Sequence, residues 1–259
     1  MKNKILNDVS VGNWKGFICN SKESGKFEVV EYINTKNITV KFYNTGSLKC
    51  TNMSNIRKGL VRDNLRTLDL GVGIVGDKYP ATVNGKTKKE YQIWYSMLDR
   101  CYNKRTTSKS VTYKDCNVSE NFTYYEYFHE WCHKQIGFMS NDYHIDKDLL
   151  VKGNKIYSEN TCVFLPREIN NALPKCDKAR GNYLIGVRYK KSVCKYEANC
   201  SFGKGKSQYL GSFNTELEAF NAYKHAKENY LKELANKWKG EIDPRAYNAL
   251  MNYEVDIND

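Results

Sequence analysis

Three absences narrow the class of this chain. No apolar run approaches the ~18 residues that a membrane-crossing helix needs, and the mean hydropathy is -0.69, which argues against a helical membrane span. No apolar segment of signal-peptide type follows the opening Met1-Lys-Asn-Lys-Ile-Leu-Asn-Asp, so a cytoplasmic protein is expected. No C-x-x-C pair occurs among the nine cysteines, which are odd in number and scattered. That argues against both a disulfide framework and a zinc ribbon, and leaves most of them as small, reduced, buried side chains.

What is present points to a folded protein of several modules. The 259 residues exceed what one small core needs, and 41% apolar content with 20 tyrosines supplies material for more than one. The net charge of +12 is unevenly spread. Residues 1–72 carry 12 basic against 6 acidic side chains, residues 73–171 carry 14 against 12, residues 172–239 carry 14 against 6, and the tail from Gly240 carries 1 against 5. Two basic flanks around a nearly balanced middle fit a polyanionic partner, with nucleic acid first among the candidates.

The first module, 1–72, reads as short strands. Lys26–Ile33, Ile38–Tyr43 and Ser47–Met53 are separated by the turn sequences Asn34-Thr-Lys-Asn37 and Asn44-Thr-Gly46. Ile38, Val40 and Phe42 alternate with Thr39, Lys41 and Tyr43, as on a strand with one buried face, and a small SH3-like β-barrel fits. The glycine-rich stretch Val72–Pro80 suggests a boundary.

The middle module, 73–171, opens with a helical stripe of Ile93, Trp94, Met97, Leu98 and Cys101. A second stripe follows at Phe122, Tyr125, Phe128 or His129, and Cys132. After Gly137 the pattern is strand, turn around Gly153, strand, and a short helix that Pro166 would initiate. The third module, 172–239, gives three short strands and then a long helix. Thr215 and Glu218 form an S/T-x-x-E capping box, and Ala219, Ala222, Tyr223, Ala226 and Tyr230 trace one face. The acidic 240–259 reads as a peripheral extension. The fold class expected is α+β, in several modules.

Gly186-Val187-Arg188, Tyr196-Glu197-Ala198, the run Tyr209 to Thr215, Glu218-Ala219 and Ala222-Tyr223 resemble the Apetala-two/ethylene-response-factor type of DNA-binding domain. The resemblance covers about a quarter of the chain and implies a sheet that enters the major groove, with Arg188, Lys190, Lys195 and Tyr196 facing DNA. Arginine can pair bidentately with guanine and lysines neutralise phosphates, so such a face gives salt-dependent affinity. Tyr196 and Ser192-Val193 stand where plant members carry tryptophans, so base specificity does not carry over.

Trp94, Met97, Arg100 to Asn103, the block Tyr113–Trp131, Ile145 to Asp148, Gly153-Asn154, Tyr157-Ser158, Asn160, Cys162 and Asn170-Asn171 resemble, in order, the phage-encoded HNH-type homing endonucleases and their degenerate relatives. The resemblance implies a ββα-metal centre, double-stranded DNA as partner, and magnesium or another divalent cation. In such a centre a neutral imidazole takes a proton from water while the metal stabilises the leaving oxygen. One register makes His144 the base, but then Tyr143 occupies the first ligand position. The other makes Asp146 and Asn170 the metal ligands and puts Lys147 where the base belongs, between two aspartates that disfavour its neutral form. Asn160 would order the loop. Neither register is complete, so two expectations stand: a metal-dependent HNH-like endonuclease, or a catalytically inactive HNH-like fold that binds DNA as a regulator or an inhibitor of host defence. A protein partner is a further possibility, and a phage origin would put the protein in the host cytoplasm.

His129-Glu130-Trp131-Cys132-His133 spells H-E-x-x-H, which on a helix lets two imidazoles share a zinc ion. A metzincin would continue to a glycine and a third histidine, yet Gly137 arrives one residue late and Met139 stands at the histidine position. Glu159 remains open as a third ligand. On balance the motif reads as a packing helix, and no zinc is expected.

Overall fold

A computed structural model of the chain describes residues 14–103, 105, 115–174, 182–203, 205 and 207–258. It is a mixed α and β structure with several separate sheets. The chain forms two compact units: the described residues within Met1–Lys114 and Glu120–His129, and those within Asp115–Ser119 and Glu130–Asp259.

The first unit begins with a meander of β1 (Ile18–Ser21), β2 (Gly25–Asn34), β3 (Asn37–Phe42) and β4 (Leu48–Thr51), all antiparallel and in that spatial order. Period-2 alternation decides which face is buried. Phe27, Val29, Ile38, Val40 and Phe42 are fully buried on one side, together with Trp14 and Cys19. Helix α1 (Met53–Lys58) closes that side with Met53 and Ile56; Asn52 caps its start and Gly59, at φ 66°, its end. Among the described residues no closed barrel of the SH3-like kind expected from the sequence is found: β1 pairs with β2 and β4 with β3, leaving an open sheet. Both edge strands have four residues, and the helix covers the core with Met53 and Ile56.

After a small hairpin of β5 (Thr82–Val83) and β6 (Lys86–Thr87), α2 (Lys89–Tyr102) buries the stripe Trp94, Met97, Leu98 and Cys101. It packs with α3 (Glu120–Thr123) and α4 (Tyr125–His133) through rings: Trp94 lies 5.5 Å from Tyr125, and the Trp94 indole N–H donates to the Phe122 carbonyl at 2.7 Å. Residues 72–80 run inside this unit. A Cβ at Gly73, whose φ is 94°, would meet Leu98 at 2.6 Å, so this glycine allows close approach to α2. Helix α4 is shared, its residues from Glu130 onward counting with the second unit.

In the second unit β7 (Asn117–Val118) pairs in parallel with β9 (Ile156–Tyr157). Strand β8 (Tyr143–Asp146) pairs antiparallel with β10 (Val163–Pro166), which runs into α5 (Arg167–Ala172) with Pro166 as its N-cap residue. Strands β11 (Val187–Lys190), β12 (Lys195–Ser201) and β13 (Ser207–Phe213) form an antiparallel sheet against α6 (Glu216–Lys237), whose start has the capping box of Thr215 and Glu218. Gly186, at φ 77°, leaves room for the Tyr223 ring of α6, which a Cβ would strike at 2.1 Å.

The tail is not peripheral. Helix α7 (Pro244–Met251) lies on α6, and Ile242, Ala246 and Leu250 are buried in one core with Leu165 and Ile169 of the β10–α5 segment and Leu231 and Leu234 of α6. Val255 enters the core beneath the sheet with Cys200, Phe220 and Tyr223. Acidity marks the solvent side of this segment, while its few apolar residues are the ones buried. No helix among the described residues is long and apolar enough to cross a membrane.

Candidate nucleic-acid face and metal-ligand clusters

Side chains directly opposite each other in an antiparallel pair lie on the same face. Arg188 is paired with Glu197 and Lys190 with Lys195, and Glu197 is paired in turn with Ser212. These residues therefore share the face turned away from α6, whereas Val187, Ala198 and Cys200 take the side towards the helix. Asn199 and its partner Tyr209 continue the outer face, where the Tyr209 hydroxyl and Ser212 hydroxyl lie 2.7 Å apart.

Glu197 is the acid at the centre of this face. Its carboxylate accepts from Arg188 Nε at 2.8 Å and Nη2 at 2.6 Å, and from Lys190 Nζ at 3.0 Å. The Lys190 hydrogen bond, with Arg188 behind it, holds the Glu197 carboxyl below the usual carboxylate range. The cations stay on the outside: Arg188, Lys190 and Lys195 are exposed while Glu197 lies beneath them. Two lysines directly opposite each other repel, and a bound anion would relieve that repulsion.

Tyr196 does not belong to this face, contrary to the expectation from resemblance. Its neighbours Lys195 and Glu197 point outward, so the pleat turns Tyr196 the other way. Its ring sits 5.0 Å from Tyr189 and 5.9 Å from Tyr183.

His144, Asp146, Lys147, Asn160 and Asn170, expected to form a ββα-metal centre, lie along β8, the loop before β10, and α5, and several are occupied in local structure. His144 is exposed on β8, paired with Leu165. Asp146 Oδ1 accepts the backbone N–H groups of Asp148 and Leu149 at 2.9 and 2.8 Å, closing a turn. Burial pushes its carboxyl up from the ordinary value, which disfavours the charged form a magnesium ligand needs. Lys147 does not stand as a base. It is buried, and its Nζ donates to the Asp148 carboxylate and the Asn154 carbonyl, bracing the loop.

Asn160 is exposed, and other groups order its loop. Asn154 donates from its side chain to the Lys147 and Ile156 carbonyls, and Ser158 and Thr161 exchange hydrogen bonds. Arg245 of α7 reaches the Glu159 and Asn160 carbonyls, both at 3.4 Å. Asn170 is half-buried on α5, which packs against β8 and β10. Burial pushes the thiol of Cys162, at the start of β10, up to about 12 and leaves it unreactive.

One group of three His, Cys, Asp or Glu side chains among the described residues offers ligand atoms within 4.8 Å of one another, and it includes neither His144 nor Asp146. It is Glu90, His129 and His133. Glu90 is buried on the first turn of α2, and its Oε1 lies 3.3 Å from His129 Nε2. Helical geometry sets His133 one turn beyond His129 on α4. Sequence reasoning had found both histidines but not Glu90, which lies 39 residues upstream of His129. Its one local signal is a carboxylate on the apolar flank of a helix that buries Trp94.

Comparison with protein-family models, with curated proteins and with solved structures finds no match to this chain. Its function must be argued from these side chains.

Proposed function

We propose that this protein binds double-stranded DNA through the outer face of β11, β12 and β13. The observation that carries the reading is the row of Arg188, Lys190 and Lys195 on one exposed strand face, with Glu197 drawn underneath to hold the first two side chains in place. Asn199 and Tyr209 extend the row with groups able to contact sugar, phosphate or base edges. This agrees with the resemblance to Apetala-type domains, in which a three-stranded sheet backed by one helix reads the major groove. An acidic protein surface is the competing partner, and excess mixed-sequence duplex in the same assay separates the two.

A second reading, that the DNA is also cut, is favoured by the order β8, β10, α5 with His144 exposed on the first strand. In that reading His144 is the base, Asp146 and Asn170 bind magnesium, and the chain is an HNH-like endonuclease. The occupied Asp146 Oδ1 weighs towards the binding-only form.

Fluorescence anisotropy on labelled duplex should give an affinity that falls steeply with salt, and Arg188→Ala with Lys190→Ala should weaken it about tenfold or more at low salt. Unchanged affinity in the double variant would remove the proposal. Nicking of supercoiled DNA in Mg²⁺ or Mn²⁺, lost in His144→Ala, would add cleavage to it; no nicking leaves binding alone.

A further inference from the structure

We infer that Glu90, His129 and His133 form a binding site for a single transition-metal cation of the zinc class, tying helix α2 to helix α4. Three separate features converge on it. The first is the donor set: two imidazoles and a carboxylate, each offering a ligand atom within 4.8 Å of the others. Two nitrogens and one oxygen suit zinc and its neighbours, whereas magnesium prefers oxygen alone, so this site is chemically distinct from the one considered around Asp146.

The second feature is how the rings are held. Tyr79 stacks flat on His129 with centroids 3.7 Å apart and planes 10° from parallel, and Tyr125 meets the same ring edge-on at 6.0 Å. Phe138 packs against the His133 ring at 5.0 Å. Ligands fixed in this way lose little freedom on binding a cation. The third is where Glu90 sits: it is buried on α2 with its Oε1 3.3 Å from His129 Nε2, so the carboxylate already faces one of the two imidazoles.

The H-E-x-x-H spelling thus has a use different from that of a zinc hydrolase. The i, i+4 histidines share the cation, as they do in that class, but the third ligand comes from an upstream helix. His133 is exposed, so the fourth coordination position faces solvent. The role assigned to the cation is to hold two helices together, and no reaction is assigned to it.

The test uses the full chain without an affinity tag, stripped with chelator and titrated with Zn²⁺ and Co²⁺ in the absence of DNA. Its outcome is therefore independent of the proposed function. One equivalent should bind, Co²⁺ should give the intense visible absorption of a four- or five-coordinate site, and Zn²⁺ should raise the melting temperature. Glu90→Gln preserves shape and His133→Ala alters an exposed position, so both variants should fold. Each should bind about tenfold or more weakly and lose the thermal shift. Failure of the wild-type chain to take up one equivalent would overturn the inference. So would undiminished binding in both variants, because the cysteines would then be the ligands.

Discussion

The β8–β10–α5 segment and the β11–β13 sheet each carry polar residues marked out by sequence, and they use them in opposite ways. In the first, Asp146 closes a turn, Lys147 braces a loop and Asn154 spans two carbonyls, so much of the polar chemistry is turned inward to hold an irregular segment. In the second, Glu197 is covered by its partners on the outer face and Arg188, Lys190 and Lys195 are displayed above it. A regular sheet satisfies its own backbone and leaves side chains available; a loop recruits side chains to satisfy its backbone. The same residue types therefore carry more functional information on a strand than in a loop.

The contrast can be broken at several points. The largest effect should come from the core that joins β10 and α5 to α6, the helix backing the sheet. Leu165→Ala, fully buried among α5, α6 and α7 side chains, should cost about 2–5 kcal/mol. Thermal unfolding should then lower one common transition for β8–β10 and for the sheet; two separate transitions would show that the regions are independent. Next, Lys147→Ala should destabilise by about 1–3 kcal/mol through the carbonyl and carboxylate it leaves behind, with DNA affinity unchanged in the same preparation. A lysine used in binding or catalysis would show the reverse.

Glu197→Gln separates support from display. The Glu197 carboxyl is held below its ordinary value of 4.5, so the stability it contributes is fully present above that pH and is lost as pH falls through the lower, folded-state value. The variant should melt below wild type at neutral pH and converge with it in acid, once pH has fallen through that lower value. Arg188, no longer held, should bind DNA with less discrimination between sequences. The smallest effect is expected for Tyr196→Phe, which keeps the ring cluster with Tyr183 and Tyr189. Its DNA affinity should equal that of wild type, and a clear loss would return Tyr196 to the interface.

Much of the architecture could be read before any coordinates, because local periodicity suffices where neighbours in space are neighbours in sequence. The stripe Trp94, Met97, Leu98 and Cys101, the alternation of Ile38, Val40 and Phe42, and the capping box at Thr215 all belong to that kind. Strand β1 was missed because it contributes one buried side chain, Cys19, and so has no visible alternation. The barrel was inferred from strand count, which carries no information on whether the edge strands meet. The tail was misread because net charge describes its solvent side and conceals Ile242, Ala246 and Leu250.

The candidate sites divide in the same way. Arg188, Lys190, Lys195 and Tyr196 were all carried over from the resemblance, and the strand pairing sets the first three on one face and Tyr196 on the other. His129 and His133 were visible as a spacing. Glu90 could not be joined to them by any local rule, because the approach of α2 to α4 depends on Trp94, Phe122 and Tyr125 packing together.

The burial of Leu250 and Val255 also has a consequence for synthesis. The second unit has two cores, and each lacks a wall until this late segment has been made. Strand β11 and the rest of the sheet leave the ribosome well before either core can close. Through that interval Cys200, Phe220 and Tyr223 lack the cover that Val255 gives them in the folded chain.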